Sequence, residues 1–203
     1  MISQDNRQKI DPDFIVTAYC NGYFPMADAR TGAISWHSPD PRAIIPLDGF
    51  RISRSLQRVV QKRSFEIRID TAFQGVIRGC ARREDTWISE ELISAYMMLH
   101  VKGIAHSVES WQGEKLVGGL YGLAIRGGFF GESMFSTVSN ASKVALVRLV
   151  ELLKRRGFKL LDTQFMNDHI RQFGAIEIPR AVYQSRLSEA LAIDAKFMES
   201  VSW

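Results

Sequence analysis

Cysteine is nearly absent from this chain. Cys20 and Cys80 are the only two in 203 residues, and nothing around either resembles a metal-binding cluster. A disulfide-stapled secreted domain is therefore excluded, and two unpaired thiols fit a reducing compartment. Long apolar runs are also missing. No stretch approaches the roughly 18 residues a membrane-spanning helix requires. The opening MISQDNRQKIDPDF is polar and has no apolar stretch of the kind a signal peptide carries. The four histidines, His37, His100, His106 and His169, are never three or four residues apart, which argues against a helical zinc site. Internal repeats and low-complexity segments are lacking too. What remains is a cytoplasmic globular protein, expected as a monomer, with no membrane contact, no metal and no cofactor.

Acid is missing from one place in particular. Between Arg51 and Phe65 there are five basic residues, Arg51, Arg54, Arg58, Lys62 and Arg63, and no Asp or Glu. Elsewhere the signs mix, and the net charge is only +4 with a pI near 9.2. Ser53 caps a helix running to about Arg63. On it Arg54, Arg58 and Lys62 recur every four residues and form one stripe. Such a stripe is either a solvated face or a row of phosphate contacts.

The periodicities predict a mixed α+β protein. Asp11-Pro12 opens a helix that Gly22 ends, with Phe14, Ile15, Ala18 and Tyr19 on its apolar face. Residues 23–49 read as mostly loop, with a short strand over 42–46. A half-buried strand is expected over 65–69 and a helix from about 71 to 82. The loop Arg83-Glu84-Asp85 follows. Ser89 caps the next helix, with Glu90 and Glu91 in its first turn and Leu92, Ile93, Tyr96 and Met97 inward. Strands over 104–110, 115–125 and 129–136 precede a helix over 139–156. Strand 158–164, helix 167–173, strand 175–178 and a last helix complete the chain. The second half thus reads β-β-β-α-β-α-β-α, an order similar to the acyltransferase fold of the GNAT superfamily. The division is placed near residue 83, with a small N-terminal α/β domain over 1–83 and the GNAT-like domain over 84–203.

Two acids stand inside apolar, strand-like runs: Glu132 in GESMFS and Asp162 in LDTQ. A buried carboxylate is costly unless it is paired. The helix between these runs makes them a β-α-β unit, whose strands lie parallel and close, so the acids are expected to share one negative pocket that seeks a cation. Turn chemistry at Gly131-Glu132-Ser133 and a solvated strand end at Asp162 are the alternative readings.

These segments resemble a known family, the leucyl/phenylalanyl-tRNA–protein transferases. The resemblance is carried in order by GYFPMA (22–27), SPDPRA (38–43), ISRSL (52–56), TWI (86–88), AHSVE (105–109), LVGGLYG (116–122), GESMFS (131–136), NASK (140–143), DTQF (162–165), NDH (167–169) and GAIEIPR (174–180). It implies an aminoacyltransferase with the GNAT-like fold. Leu or Phe, with Met as a third candidate, would pass from aminoacyl-tRNA to the α-amino group of proteins that begin with Arg or Lys. The product carries a destabilising N-terminus that marks it for degradation. The ester arrives activated, so neither ATP nor metal is called for.

The resemblance also assigns roles. Asp162 and Gln164, two apart on a strand and so on one face, are the catalytic pair, with Asp162 orienting the Gln164 amide toward the attacking amine. Positioning and general base catalysis both remain open for them. Glu132 would receive the cationic first side chain, alone or with Asp162. Leu120, Met134, Leu146, Leu149 and Leu153 would form the apolar slot for the donor, though a leucine stripe also reads as plain core. Trp87 would stack on the terminal adenosine, or simply anchor the core. A second aromatic position of the family is Met26 here, and Trp36-His37 replaces a tryptophan pair. Arg54, Arg58, Lys62 and Arg63 fall where the family touches the tRNA backbone. Exchange of Asp162 for Asn is expected to stop transfer and spare the fold.

Two rivals remain. An acyl-CoA N-acetyltransferase would need a pyrophosphate loop, and Arg171 to Ile176 is a poor match, with Ile where a small residue belongs. A non-catalytic reader of basic N-termini would need Glu132 and Asp162 but neither the stripe nor Gln164. The stripe yields a test. Replacing Arg54, Arg58 and Lys62 with Ala should weaken tRNA binding and lower the log–log salt slope by about 2–3 units. A short aminoacyl-adenosine donor should react as before. Unchanged tRNA affinity in low and moderate salt would leave a merely solvated face.

Overall fold

The computed structural model describes residues 10–83 and 86–198. The polar stretch 1–9 and the Glu84-Asp85 part of the expected loop lie outside the described residues. Helix α1 (Pro12–Cys20) leads to strands β1 (Phe24–Ala27), β2 (Ile34–His37) and β3 (Arg42–Ile44). Then come α2 (Arg54–Gln61), β4 (Glu66–Ile69), α3 (Phe73–Ala81) and α4 (Glu90–Val101). The second half contains β5 (Ala105–Gln112), β6 (Lys115–Ile125), β7 (Gly128–Ser136), α5 (Ala141–Arg155) and β8 (Leu160–Gln164). It closes with α6 (Asp168–Arg171), β9 (Ile176–Ile178) and α7 (Arg180–Leu191).

Local chemistry sets the helix starts. The Ser53 hydroxyl accepts from the Leu56 N–H at 3.2 Å and the Ser89 hydroxyl from the Leu92 N–H at 3.3 Å. Asp11 accepts from the Asp13 N–H at 2.9 Å, with Pro12 at the first helical position. Each cap satisfies an amide that the helix itself leaves free.

Seven strands form one mixed sheet in the order β4-β5-β6-β7-β8-β3-β9. Only β7 and β8 run parallel, joined by α5. The other pairs are antiparallel. Helices cover both faces. Phe130 and Leu160 pack toward Tyr19, Tyr96, Tyr121 and Tyr183, while their neighbours Phe129 and Leu161 pack toward Leu56 and the buried face of α5. This alternation is the two-residue period of a strand. Burial on both faces explains the near-continuous apolar character of β6 and the start of β7.

Two features depart from the expectation. Residues 23–49 are mostly outside regular elements, as expected, but they hold two strands that were not expected: β1 and β2 form an antiparallel hairpin, Phe24 opposite His37 and Ala27 opposite Ile34. Four-residue strands, one containing Pro25, give too weak a periodic signal to be read from sequence. Secondly, β3 inserts between β8 and β9. The sheet therefore spans residue 83, because β3 and β4 precede that position and pair with strands beyond it.

The glycines of β6 allow close backbone approach. A Cβ on Gly122 would overlap the carbonyl oxygen of Phe130 and the ring of Phe129. A Cβ on Gly131, its partner across the ladder, would meet only the Asp162 carbonyl oxygen, at 3.4 Å. Gly122→Ala should therefore destabilise the protein by about 1–3 kcal/mol, the usual cost of overpacking. Gly131→Ala should cost much less, and denaturant unfolding of the two variants checks the contrast.

Candidate functional site

Asp162 is fully buried in the middle of β8, and its counter-charge comes from β3. The Arg42 guanidinium binds it with two parallel bonds, Nε to Oδ1 at 3.0 Å and Nη2 to Oδ2 at 2.7 Å. Arg42 is itself buried. It lies between the rings of Phe24 and Tyr183, each 4.6 Å away, and donates through Nη1 to the Gly22 carbonyl at 3.1 Å. The Tyr183 hydroxyl donates to Asp162 Oδ2 at 2.7 Å, and the Gln164 N–H donates to Oδ1 at 2.9 Å. Four donors thus saturate this carboxylate.

That arrangement corrects the expected relay. Asp162 holds the backbone of Gln164, not its side-chain amide. Gln164 adopts a left-handed φ of 61°, stabilised by this bond, so the alternation of the strand breaks there. The Gln164 amide nitrogen instead donates to Glu132 Oε1 at 3.1 Å. Asp162 is also unavailable to an incoming cation, because Arg42 already occupies it. The pocket keeps one unmatched acid, Glu132.

Glu132 is placed by a β-bulge. Tyr121 lies opposite Ser133 and Gly122 opposite Gly131, which leaves Glu132 as the extra residue on β7. Regular alternation would put Glu132 on the face of Met134. Met134 packs toward the α5 side, whereas Glu132 reaches across to α1 and α4. The Tyr19 hydroxyl lies 2.5 Å from Oε1, the Tyr96 hydroxyl 2.9 Å from Oε2, and the two hydroxyls 3.0 Å from each other. Two phenols carry two protons for three contacts. All three become hydrogen bonds only when Glu132 supplies a third. Burial raises the Glu132 carboxyl from its ordinary 4.5 to about 7, partly opposed by the bonds from Tyr19 and Tyr96 and by Arg42, and aided by Asp162. Burial and the neighbouring acid likewise raise both phenols well above their usual value.

Glu132 and Gln164 line a cavity of about 890 Å³, whereas Tyr19, Tyr96, Arg42 and Asp162 are not among its lining residues. Leu120, Met134, Leu146 and Leu149 form an apolar wall, with Leu161 and Ile45 beside them. Trp87, Met26, Phe24, Arg82, Arg83 and Phe165 also line it. Leu153 does not: it is fully buried in the core beneath the wall. Seven residues beyond Leu146, it lies about two turns further along α5, outside the lining. Trp36 packs edge-on against Phe14, 5.0 Å between centroids, and is not among the lining residues. Arg54, Arg58, Lys62 and Arg63 are all exposed, on α2 and its end, outside the cavity lining.

Sequence reasoning missed Arg42, Tyr19, Tyr96 and Tyr183. Tyr19 and Tyr96 did show as inward positions of amphipathic helices. Their hydroxyls gave no signal of a polar task, because their common partner lies on another element.

Fold and site together define a mixed α+β protein whose sheet opens into a cleft lined by a half-buried acid, Glu132, with an apolar wall beside it. A family model described as leucyl/phenylalanyl-tRNA protein transferase matches residues 44–188, and one for the N-terminal domain of the same proteins matches 8–40. The chain is 53% identical over 188 residues to the leucyl/phenylalanyl-tRNA–protein transferase of Gloeobacter violaceus, covering 93% of this chain and 97% of that one. It is 52% identical over 191 residues to the enzyme of that name from Herpetosiphon aurantiacus, covering 94% and 99%. The chain belongs to the leucyl/phenylalanyl-tRNA–protein transferase family.

The buried pair revises the expected outcome at Asp162. Asp162→Asn leaves Arg42 charged and without its partner in the interior. Loss of one member of a buried pair costs about 3–5 kcal/mol, so both Asp162→Asn and Arg42→Ala should unfold at markedly lower denaturant. An Asp162→Asn protein of wild-type stability would refute this account of the pair.

Proposed function

We propose that this protein moves Leu or Phe from aminoacyl-tRNA to the α-amino group of proteins that begin with Arg or Lys. A GNAT-like acyltransferase arrangement would serve this chemistry, with the donor ester at the fork of β7 and β8. The observation that carries the reading is one acid, Glu132, left without a cation in a cleft whose wall is apolar. The acceptor's guanidinium or ammonium would pair with Glu132, and the donor side chain would lie against Leu120, Met134, Leu146 and Leu149. Leucines on the helical part of this wall leave room for aromatic and aliphatic donors. Trp87 would meet the terminal adenosine; stacking of this kind contributes about 1–3 kcal/mol. Arg54, Arg58, Lys62 and Arg63 would hold the tRNA backbone outside the cavity.

The attacking group is an α-amine that titrates near ~8, so little basicity is demanded of the protein. Gln164 fits a positioning task. Its amide nitrogen is committed to Glu132 and its backbone to Asp162, which leaves the amide oxygen to accept from the amine. Asp162 acts through Gln164 and is a positioning residue. Orientation of amine and ester within one cleft supplies much of the rate. A cytoplasmic monomer with no membrane contact completes the reading. None of the helices among the described residues is long and apolar enough to cross a membrane.

Glu132 gives the reading a pH signature. Its carboxyl titrates near 7 in the folded protein, so acceptor binding strengthens as pH rises through 7 and the carboxylate forms. The profile of kcat/KM for an Arg-starting peptide should therefore show a slope near two below pH ~7 and near one up to pH ~8, where the amine has lost its proton. Glu132→Gln should remove the lower limb. It should raise KM for the peptide about 10- to 100-fold, since a hydrogen bond to a charged group contributes roughly 1.5–3 kcal/mol, and leave KM for the tRNA unchanged. Stability should respond in the opposite sense. The folded protein keeps the Glu132 proton between pH 4.5 and 7 where the unfolded chain loses it, so wild-type stability falls across that window. The Gln variant lacks this fall. An equal loss for peptide and tRNA would mark Glu132 as structural.

A further inference from the structure

The ladder between β7 and β8 stops early. Its last register pair is Phe130 with Asp162, yet β7 continues to Ser136 and β8 to Gln164. Past the fork both strands line the cavity. On the β8 side the edge is closed, because the Gln164 N–H is bound to Asp162. On the β7 side it is open: among the described residues no strand pairs with 131–136 except β6 on the far side. One group on that open edge shows its aim: the Met134 carbonyl accepts from the Arg83 guanidinium at 2.5 Å. Arg83 is an exposed side chain that also lines the cavity. A backbone acceptor of the sheet thus faces the cleft and already takes a donor there.

We propose that the acceptor protein binds by adding its first residues as a short strand along this edge, parallel to β7 and in the ladder position that β8 vacates. This deepens the transfer reading and rests on it. Charge sets the occupant and its direction. Glu132 stands at the fork and takes the cationic first side chain, so the α-amine lies beside Gln164 and the chain runs outward toward Ser136. The Met134 carbonyl then receives a substrate amide N–H in place of Arg83. Main-chain bonds of this kind give affinity without regard to the following side chains. Recognition is thereby confined to the first residue, and many sequences can follow it.

The test uses leucyl-tRNA as donor with arginine amide and with Arg-starting tetrapeptides N-methylated singly at the second or third residue. A strand presents alternate amides to its neighbour. Methylation at one of these positions should lower kcat/KM about tenfold or more, and at the other less than about threefold, as loss of one hydrogen bond at one position requires. The unmethylated tetrapeptide should have a lower KM than arginine amide. Equal loss at both positions, no loss at either, or equal KM for tetrapeptide and arginine amide would overturn the strand. Absence of transfer to arginine amide as well as to every peptide would instead sink the transfer reading, and the strand with it.

Discussion

Everything around the cleft depends on the ion pair between Arg42 and Asp162. Burying two charges is costly, and here each nitrogen and oxygen of the two charged groups has a hydrogen-bond partner. Two parallel bonds join the groups. Tyr183, the Gln164 N–H and the Gly22 carbonyl satisfy what is left, and the rings of Phe24 and Tyr183 cover the guanidinium faces. Those residues come from β1, β3, β8, α7 and the turn after α1. One interaction therefore ties the hairpin, the inserted strand and the last helix to the end of the parallel pair.

The same pair separates the roles of the two acids. Asp162, saturated and matched by Arg42, serves geometry: it fixes the left-handed turn at Gln164 and with it the direction of the amide. Glu132 has phenols and an amide as partners but no cation, and burial holds its proton to about pH 7. A bound guanidinium would convert a costly buried acid into a satisfied one.

Two irregularities of the sheet make the cleft. The bulge at Glu132 turns that side chain away from Met134, so the acid and the apolar wall occupy different sides of one strand. The early end of the β7–β8 ladder opens the space between them. Neither is a defect of folding. The close glycine approach at Gly122 and the full burial of Phe129 and Phe130 pack the strands tightly up to the fork, and the ladder ends at the Phe130–Asp162 pair.

What the sequence by itself determined was local or periodic. Ser53 and Ser89 announced their helices because a cap acts over three residues. The 104–136 strands and the long helix after them showed because both faces of the sheet are buried and the helix period is strong. The acids stood out because Glu132 and Asp162 interrupt apolar runs, and the ordered motifs pointed to the family. The tertiary structure alone decided which acid is free. Arg42 and Asp162 are 120 residues apart, and β3 pairs with β8 through an insertion that no local pattern encodes. Tyr19 and Glu132 are 113 apart, and the bulge that brings them together depends on the register of β6 against β7. Leu153 shares the helix period of Leu146 and Leu149, and only its depth in the packed core separates it from the cavity. Spacing along the chain sets the direction of a side chain, but the partner that fixes its charge and its exposure arrives from a distant segment when the sheet assembles.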